Sequence, residues 1–182
     1  LALCQDVQAE AYDYPEAFFA PRTWRTPRPR PDTQELADLV AAIRSAKAPL
    51  IVAGGGVLYS GAEKTLSALA AATGLPVGET QAGKGSLPWD HPQALGSIGV
   101  TGTSAANDAA EAADLIVAVG TRLQDFTTGS RTMFAGKRLF QINVGGFDAT
   151  KHGAHRVQGD ARVVLTELSE ALGDWTVSSD WR

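Results

Sequence analysis

The alternation of apolar and polar residues becomes regular at residue 32. Residues 32–35 (DTQE) form a capping-box pattern, and the apolar residues that follow recur at helical spacing up to Ile43. Residues 49–53 (PLIVA) are apolar throughout, as a parallel strand buried on both faces requires. They lead into three glycines, after which residues 60–63 (SGAE) repeat the capping-box pattern and predict a helix that ends at Gly74.

The rest of the chain continues this alternation of apolar strands and amphipathic helices. Short apolar runs predict strands at residues 75–79, 97–100, 115–119, 138–144 and 155–157. Helices are predicted at residues 104–112 and after Asp160, with Gly173 as the stop of the last one. Fully apolar strands between amphipathic helices predict a three-layer α/β/α domain, with a doubly wound, Rossmann-like parallel sheet of five to six strands.

The same pattern sets the expected domain limits, with the α/β domain at residues 32–173. Residues 1–20 lack a clear period and are interpreted as the tail of a preceding domain, and residues 174–182 as the start of the next linker. Residues 21–31 contain four prolines and four arginines, which favours an extended linker over a basic or proline-motif binding segment. Because the chain begins with leucine, we expect it to be processed or excised from a longer protein.

Composition narrows the classes of function. Sixteen Lys+Arg against twenty Asp+Glu give a net charge of −4, which disfavours a nucleic-acid or anionic-membrane partner. No apolar run approaches the roughly 18 residues of a membrane span. The single cysteine, Cys4, excludes an internal disulfide and a cysteine-based metal centre, and it favours a reducing, cytoplasmic setting.

The glycines at the ends of two predicted strands mark the best candidate for a binding site. Ligands of doubly wound sheets bind beyond the carboxyl ends of the strands, where the strand order reverses. The candidate residues for such a nucleotide crevice are Gly54, Gly55, Gly56, Gly120 and Arg122, the last as a phosphate contact.

The dinucleotide fingerprint at this crevice is only partial. Tyr59 stands where its third glycine belongs, although Glu79 lies near the distance expected of a ribose-binding acid. Tight turns between strands and helices also use glycine without any ligand. The residues therefore leave open whether a nucleotide binds there.

Other motifs do not complete a catalytic set. Residues 78–84 (GETQAGK) nearly match a phosphate-binding P-loop, but Gly85 stands where the Mg²⁺-binding Ser or Thr is required. Asp148, His152 and His155 would share a face only in a helix, which Gly153 disfavours, so we expect solvated loop residues rather than a metal site. No G-x-S-x-G nucleophile motif is present.

Four segments resemble the central domain of thiamine-diphosphate-dependent enzymes: residues 49–57 (PLIVAGGGV), 83–88 (GKGSLP), 114–122 (DLIVAVGTR) and 157–161 (VQGDA). The resemblance extends from about residue 32 to about residue 172. It implies that two other domains of a parent enzyme bind thiamine diphosphate and Mg²⁺, one with a glutamate and one with a Gly-Asp-Gly motif and an Asn. Here Ala161 replaces the last glycine of that motif, so the resemblance implies no catalytic and no metal-binding residue in this chain.

The resemblance has further implications for ligands and partners. Some members of the family bind FAD or an adenine nucleotide in this domain, in the crevice described above. Residues 5–15 (QDVQAEAYDYP) and 119–129 (VGTRLQDFTTG) resemble, more particularly, the carbon–carbon hydrolases of inositol catabolism. The expected partners are the flanking domains of the parent enzyme, within a homo-oligomer.

Three alternative functions remain open from the sequence. The chain could be the central domain of another member of the family, such as an acetohydroxyacid-synthase-like lyase. It could also be a stand-alone FAD- or NAD-binding redox domain. The third alternative is an interaction module that binds a partner through residues 21–31.

Overall fold

The computed structural model describes residues 2–181 and contains one six-stranded sheet. The strands are β1 (Pro49–Ala53), β2 (Val77–Glu79), β3 (Ala94–Ser97), β4 (Leu115–Val119), β5 (Arg138–Asn143) and β6 (His155–Gln158). Their order is β3-β2-β1-β4-β5-β6, and every neighbouring pair is parallel. The strand order reverses between β1 and β4, so the doubly wound, Rossmann-like sheet is confirmed.

Helices connect the strands and precede the sheet. The α-helices are α1 (Gln5–Gln8), α2 (Thr33–Ser45), α3 (Gly55–Ser60), α4 (Glu63–Thr73), α5 (Ser104–Ala112), α6 (Asp125–Thr128), α7 (Gly146–Ala149) and α8 (Ala161–Leu172). Short 3₁₀ turns lie at Glu16–Phe18, Gln81–Gly83, Lys151–Gly153 and Ser179–Trp181. In residues 2–181, no helix is long and apolar enough to cross a membrane.

Two hydrophobic cores lie on opposite faces of the sheet. Helices α2, α4 and α8 pack on one face, where Ile51 and Val117 point inward with Leu66 and Leu165. The other face buries Leu50 and Ile116 under the alanines of α5. Because successive strand residues point to opposite faces, a strand buried on both sides must be apolar throughout. This is why the PLIVA and LIVAV segments were recognisable.

Two details of the helix predictions are wrong. Residues 60–63 are not a capping box, because Ser60 is the last residue of α3 and its hydroxyl donates to the carbonyl of Val57. Gly61, with φ +66°, then separates α3 from α4. At residues 32–35 the Asp32 cap is confirmed, but the box is not reciprocal. Glu35 accepts instead from Arg156 and from the amide of Gln158.

The third strand lies three residues earlier than predicted, at Ala94–Ser97. The amide of Ile98 still donates to the carbonyl of Glu79 at 2.8 Å, which extends the ladder by one bond. The amide of Gly99, with φ +117°, donates instead to the side chain of Asn107 at 3.0 Å.

The two ends of the chain differ in how they meet the domain. Residues 174–181 pack against it: Trp175 covers the first core, and the indole nitrogen of Trp181 donates to the carbonyl of Pro49 at 2.9 Å. The aromatic rings near the start contact one another instead and are all exposed. They are Tyr12, Tyr14, Phe18 and Phe19.

Candidate functional site

The loops after β1 and β4 lock together at the point where the strand order reverses. The amide of Gly54 donates to the carbonyl of Val119, and the amide of Gly56 to that of Gly120, each at 2.8 Å. A Cβ added to Gly56 would lie 2.6 Å from the Cα of Gly120, and a Cβ on Gly120 would lie 2.5 Å from the Cα of Gly56. No side chain fits between these two loops, so their own contact already requires glycine at both positions.

A crevice of about 850 Å³ opens above these loops, at the carboxyl ends of the strands. Four of the candidate residues line it, namely Gly55, Gly56, Gly120 and Arg122, whereas Gly54 is buried and does not. The amides of Gly54 and Gly56 already donate to carbonyls of Val119 and Gly120. The glycine turn therefore has fewer free N–H groups for a phosphate than its sequence suggests.

The crevice carries charged groups of both signs and two exposed aromatic rings. Lys84 and Arg122 provide positive charge, and Asp148 and Asp160 provide negative charge. Tyr59 is 82% and Phe126 is 74% exposed, and both rings line the crevice. Cations beside exposed rings suit an anionic ligand that also has a planar, apolar part.

Two amide side chains hold the loop that presents Arg122. Gln141 donates to the carbonyl of Thr121 at 2.8 Å, and Asn143 donates to the same oxygen at 3.1 Å. Lys151 donates to the carbonyl of Arg122 at 2.8 Å. These bonds fix the backbone of the loop while the Arg122 side chain stays exposed.

Glu79 does not face the crevice. Its carboxylate accepts the amides of Gly85 at 3.1 Å and Leu87 at 3.0 Å, and the residue is only 6% exposed. Glu79 therefore holds the loop after β2 instead of facing a ribose. In that loop Lys84 follows a 3₁₀ turn rather than beginning a helix, so the segment lacks the geometry of a P-loop.

Asp148, His152 and His155 lie in different surroundings. Asp148 lines the crevice, the ring nitrogen of His152 lies 2.9 Å from the carbonyl of Leu123, and His155 stacks on Phe140. Within residues 2–181, no three His, Cys, Asp or Glu side chains form a group that could hold a metal ion.

One wall of the crevice was not recognised in the sequence. It consists of Thr26, Pro27 and Pro29, which belong to the segment 21–31 whose composition predicts an extended linker. Arg28 donates to the carboxylate of Asp160 at 2.8 Å and to the carbonyl of Ser60 at 2.9 Å. The cap at Asp160 was predictable, but its pairing with a residue 132 positions earlier leaves no signal in a single sequence.

The chain is similar to known proteins over nearly all its length. A family model described as "Thiamine pyrophosphate enzyme, central domain" matches residues 36–168. A "3D-(3,5/4)-trihydroxycyclohexane-1,2-dione hydrolase" of Geobacillus thermodenitrificans is 49% identical over 96% of this chain and 27% of its own length. A protein of the same name from Clostridium tetani is 45% identical over 100% of this chain and 28% of its own length.

A solved structure supports the same grouping. It is an X-ray structure described as a thiamin diphosphate-dependent enzyme isolated from Mycobacterium smegmatis. The two chains superpose with a TM-score of 0.66 at 26% identity, over 86% of this chain and 30% of the other. The chain thus spans between a quarter and a third of the length of the proteins it matches.

Proposed function

This chain belongs to the family of thiamine pyrophosphate enzyme central domains, and from that premise we propose what its parent enzyme does. The parent is a thiamine-diphosphate-dependent hydrolase that cleaves a carbon–carbon bond of trihydroxycyclohexane-1,2-dione in inositol catabolism. The observation that carries this proposal is the 49% identity to a hydrolase of that name over 96% of the chain. The chain on its own is inactive and serves as the scaffold between the domains that react.

The residues of this chain do not fit the thiamine cofactor. Neither Gly-Asp pair continues to a second glycine, because Gly159-Asp160 is followed by alanine and Gly173-Asp174 by tryptophan. In the first pair, both carboxylate oxygens of Asp160 accept hydrogen bonds. One oxygen caps α8 through the amides of Arg162 and Val163, and the other pairs with Arg28. A carboxylate has about four acceptor positions, and the cap and Arg28 take three of them, so Asp160 has a structural role here instead of a free Mg²⁺-binding face. We therefore assign the thiamine diphosphate, with its Mg²⁺, to the flanking domains of the parent.

A second candidate function concerns the crevice, which we propose as a site for FAD or another adenine nucleotide. It is favoured by the 850 Å³ volume at the strand switch point and by Lys84 and Arg122 beside exposed rings. Gly55, Gly56 and Gly120 would let the ligand approach the backbone. Gly54 would hold the glycine turn in place through its hydrogen bond to Val119. Because the glycine amides are largely used, side chains rather than the turn would supply the phosphate contacts.

The remaining expectations belong to the same proposal. We place the end of a preceding domain at residues 1–20, a linker at 21–31, the central domain at 32–173 and the start of the next linker at 174–182. The parent acts in the cytoplasm, as the single cysteine leads us to expect, and as a homo-oligomer, as the resemblance to the family implies.

A chimera tests the main proposal. This chain replaces the central domain of the Geobacillus thermodenitrificans relative, and the solved Mycobacterium smegmatis neighbour supplies the control domain. We expect the first chimera to hydrolyse trihydroxycyclohexane-1,2-dione with thiamine diphosphate and Mg²⁺, and the isolated chain to give no turnover. Turnover by the isolated chain would overturn the scaffold role. A chimera that folds and binds the cofactor but does not hydrolyse would show that this chain is not the central domain of such a hydrolase.

Calorimetric titration of the chain with FAD and with ADP tests the second candidate. Arg122→Gln should weaken binding about tenfold, because it removes a charge-assisted contact. Arg131→Gln, an exposed arginine outside the crevice, is the matched control. No heat with either ligand, or equal loss in both variants, would contradict a site at Arg122.

A further inference from the structure

Residues 26–31, which we call the strap, form one wall of the crevice and approach the start of α8 closely. The amide of Asp160 donates to the carbonyl of Pro29 at 2.9 Å. Gly159 makes this approach possible, since a Cβ there would lie 3.2 Å from the Pro29 oxygen and 2.6 Å from a methyl group of Val164. The strap is therefore the part of the proposed linker that packs against the crevice.

Arg28 is the latch of the strap. A single guanidinium nitrogen donates to Asp160 on α8 and to the carbonyl of Ser60 at the end of α3. Helix α8 begins at this carboxylate and α3 ends at this carbonyl, so Arg28 lies between a helix start and a helix end. The Asp160 side chain is 6% exposed and that of Arg28 is 31% exposed, so water screens the pair only in part.

Polar contacts, rather than buried apolar surface, hold the strap. Among its residues only Arg28 and Pro31 are partly buried, and the others are exposed. The remaining ion pair, Arg30 to Glu167 at 2.7 Å, involves a guanidinium side chain that is 77% exposed. Segments with few buried apolar contacts open at low free energy, without unfolding the core.

The prolines make the strap a stiff, extended segment. Pro27, Pro29 and Pro31 fix the backbone φ at alternate positions, which favours an extended, stiff segment. Its flanks are the exposed residues 22–25 on one side and the Asp32 cap of α2 on the other. If the Arg28 contacts break, the stiff strap would therefore separate from the crevice as a unit.

We propose that the strap is a hinged wall of the crevice, held shut by the Arg28 latch and opened by its release. The docking of the strap then couples residues 2–25, which precede it, to the shape of the crevice. This inference goes beyond the proposed function, because it requires no particular occupant of the crevice.

Amide hydrogen exchange of the chain, followed residue by residue by NMR, tests the hinge. Arg28→Gln removes the charge of the latch, and the Asp160 amide, which is bonded to Pro29, should exchange about tenfold faster. The amides of Gly56 and Gly120, which lie where the loops after β1 and β4 lock together, should keep their rates. Arg28→Lys keeps the charge and should restore most of the protection.

Arg30→Gln is the matched control, because it removes the same charge from the same strap at an exposed pair. It should change the exchange of the Asp160 amide less than twofold. An unchanged Asp160 amide in Arg28→Gln would overturn the latch. Equal acceleration at Gly56, Gly120 and Asp160 would overturn the hinge, since the whole domain would then be opening. Neither result depends on whether a nucleotide binds.

Discussion

The loops after β1 and β4 line the same crevice as the strap, but the two walls are held by different forces. At the loops, backbone meets backbone: Gly56 and Gly120 approach so closely that no Cβ fits, and two short strands are buried beneath them. At the strap, the amide of Asp160 donates to the carbonyl of the exposed Pro29. Arg28 of the strap donates both to Ser60, at the end of α3, and to Asp160, at the start of α8. Steric fit fixes the first wall, whereas a few polar contacts that water can replace fix the second.

This difference teaches where rigidity in the crevice comes from. A close-packed contact is lost only when the core opens, because its removal exposes apolar surface and leaves a void. A polar contact at the surface exchanges with water at little net cost. Substitutions at the glycine contact should therefore destabilise the domain more than substitutions at the strap.

Gly120→Ala should have the largest effect. The residue has φ +61°, and its new Cβ would lie 2.5 Å from the Cα of Gly56, a backbone atom that cannot turn away. We expect a loss of about 3 kcal/mol in the free energy of unfolding, from backbone strain and overpacking together. Urea denaturation of both proteins measures this loss.

Gly61→Ala is the control for Gly120→Ala. Gly61 has nearly the same φ, +66°, but nothing lies within 4 Å of its added Cβ. It should lose only about 1 kcal/mol, the cost of the left-handed conformation alone. Equal losses at the two positions would show that close approach of the loops contributes nothing.

Asp160→Ala should have an intermediate effect. It removes the cap of α8 and the partner of Arg28 together, and we expect a loss of about 2 kcal/mol in the free energy of unfolding. Asp160→Asn keeps a capping oxygen and loses only the charge, so it should cost about half as much. If the two variants unfold at the same urea concentration, the ion pair rather than the cap carries the whole effect.

Arg30→Gln should have the smallest effect. The hydrogen bond and the charge of Glu167 raise the pKa of Arg30 above its ordinary value, but solvent screens this pair because the Arg30 side chain is largely exposed. A raised pKa adds stability that is fully present below the ordinary value and is lost only at higher pH. We therefore expect the midpoint of urea denaturation to stay the same and to show no new pH dependence between about pH 6 and 9. A clear drop would mean that the strap is held more tightly than its exposure indicates.

The same contrast explains what the sequence could predict. Strands such as PLIVA and LIVAV are apolar throughout because both faces are buried, so their number, their parallel arrangement and the switch point follow from local pattern. The boundaries differ from the prediction at Gly61, where a positive φ separates α3 from α4, and at β3, which continues through a positive φ at Gly96. A glycine in a sequence does not show which sign its φ takes.

The candidate site was predictable only in part. Gly55, Gly56, Gly120 and Arg122 could be placed at the crevice because strand ends position them. The strap could not, since its contacts join residues 28, 60 and 160 through single polar atoms without periodicity. The resemblance to thiamine-diphosphate-dependent enzymes supplied the family, which the residues of the crevice alone do not specify.

We propose that this domain supports the chemistry of a thiamine-diphosphate-dependent enzyme without itself holding the cofactor. A thermal unfolding scan of the chain with excess thiamine diphosphate and Mg²⁺ tests it directly. Ligand that binds the native state at a hundredfold excess over Kd adds about 2.7 kcal/mol, which would raise the Tm of a chain this size by about 5 °C or more. We expect an unchanged Tm, whereas a rise of that size would show that this chain itself binds the cofactor.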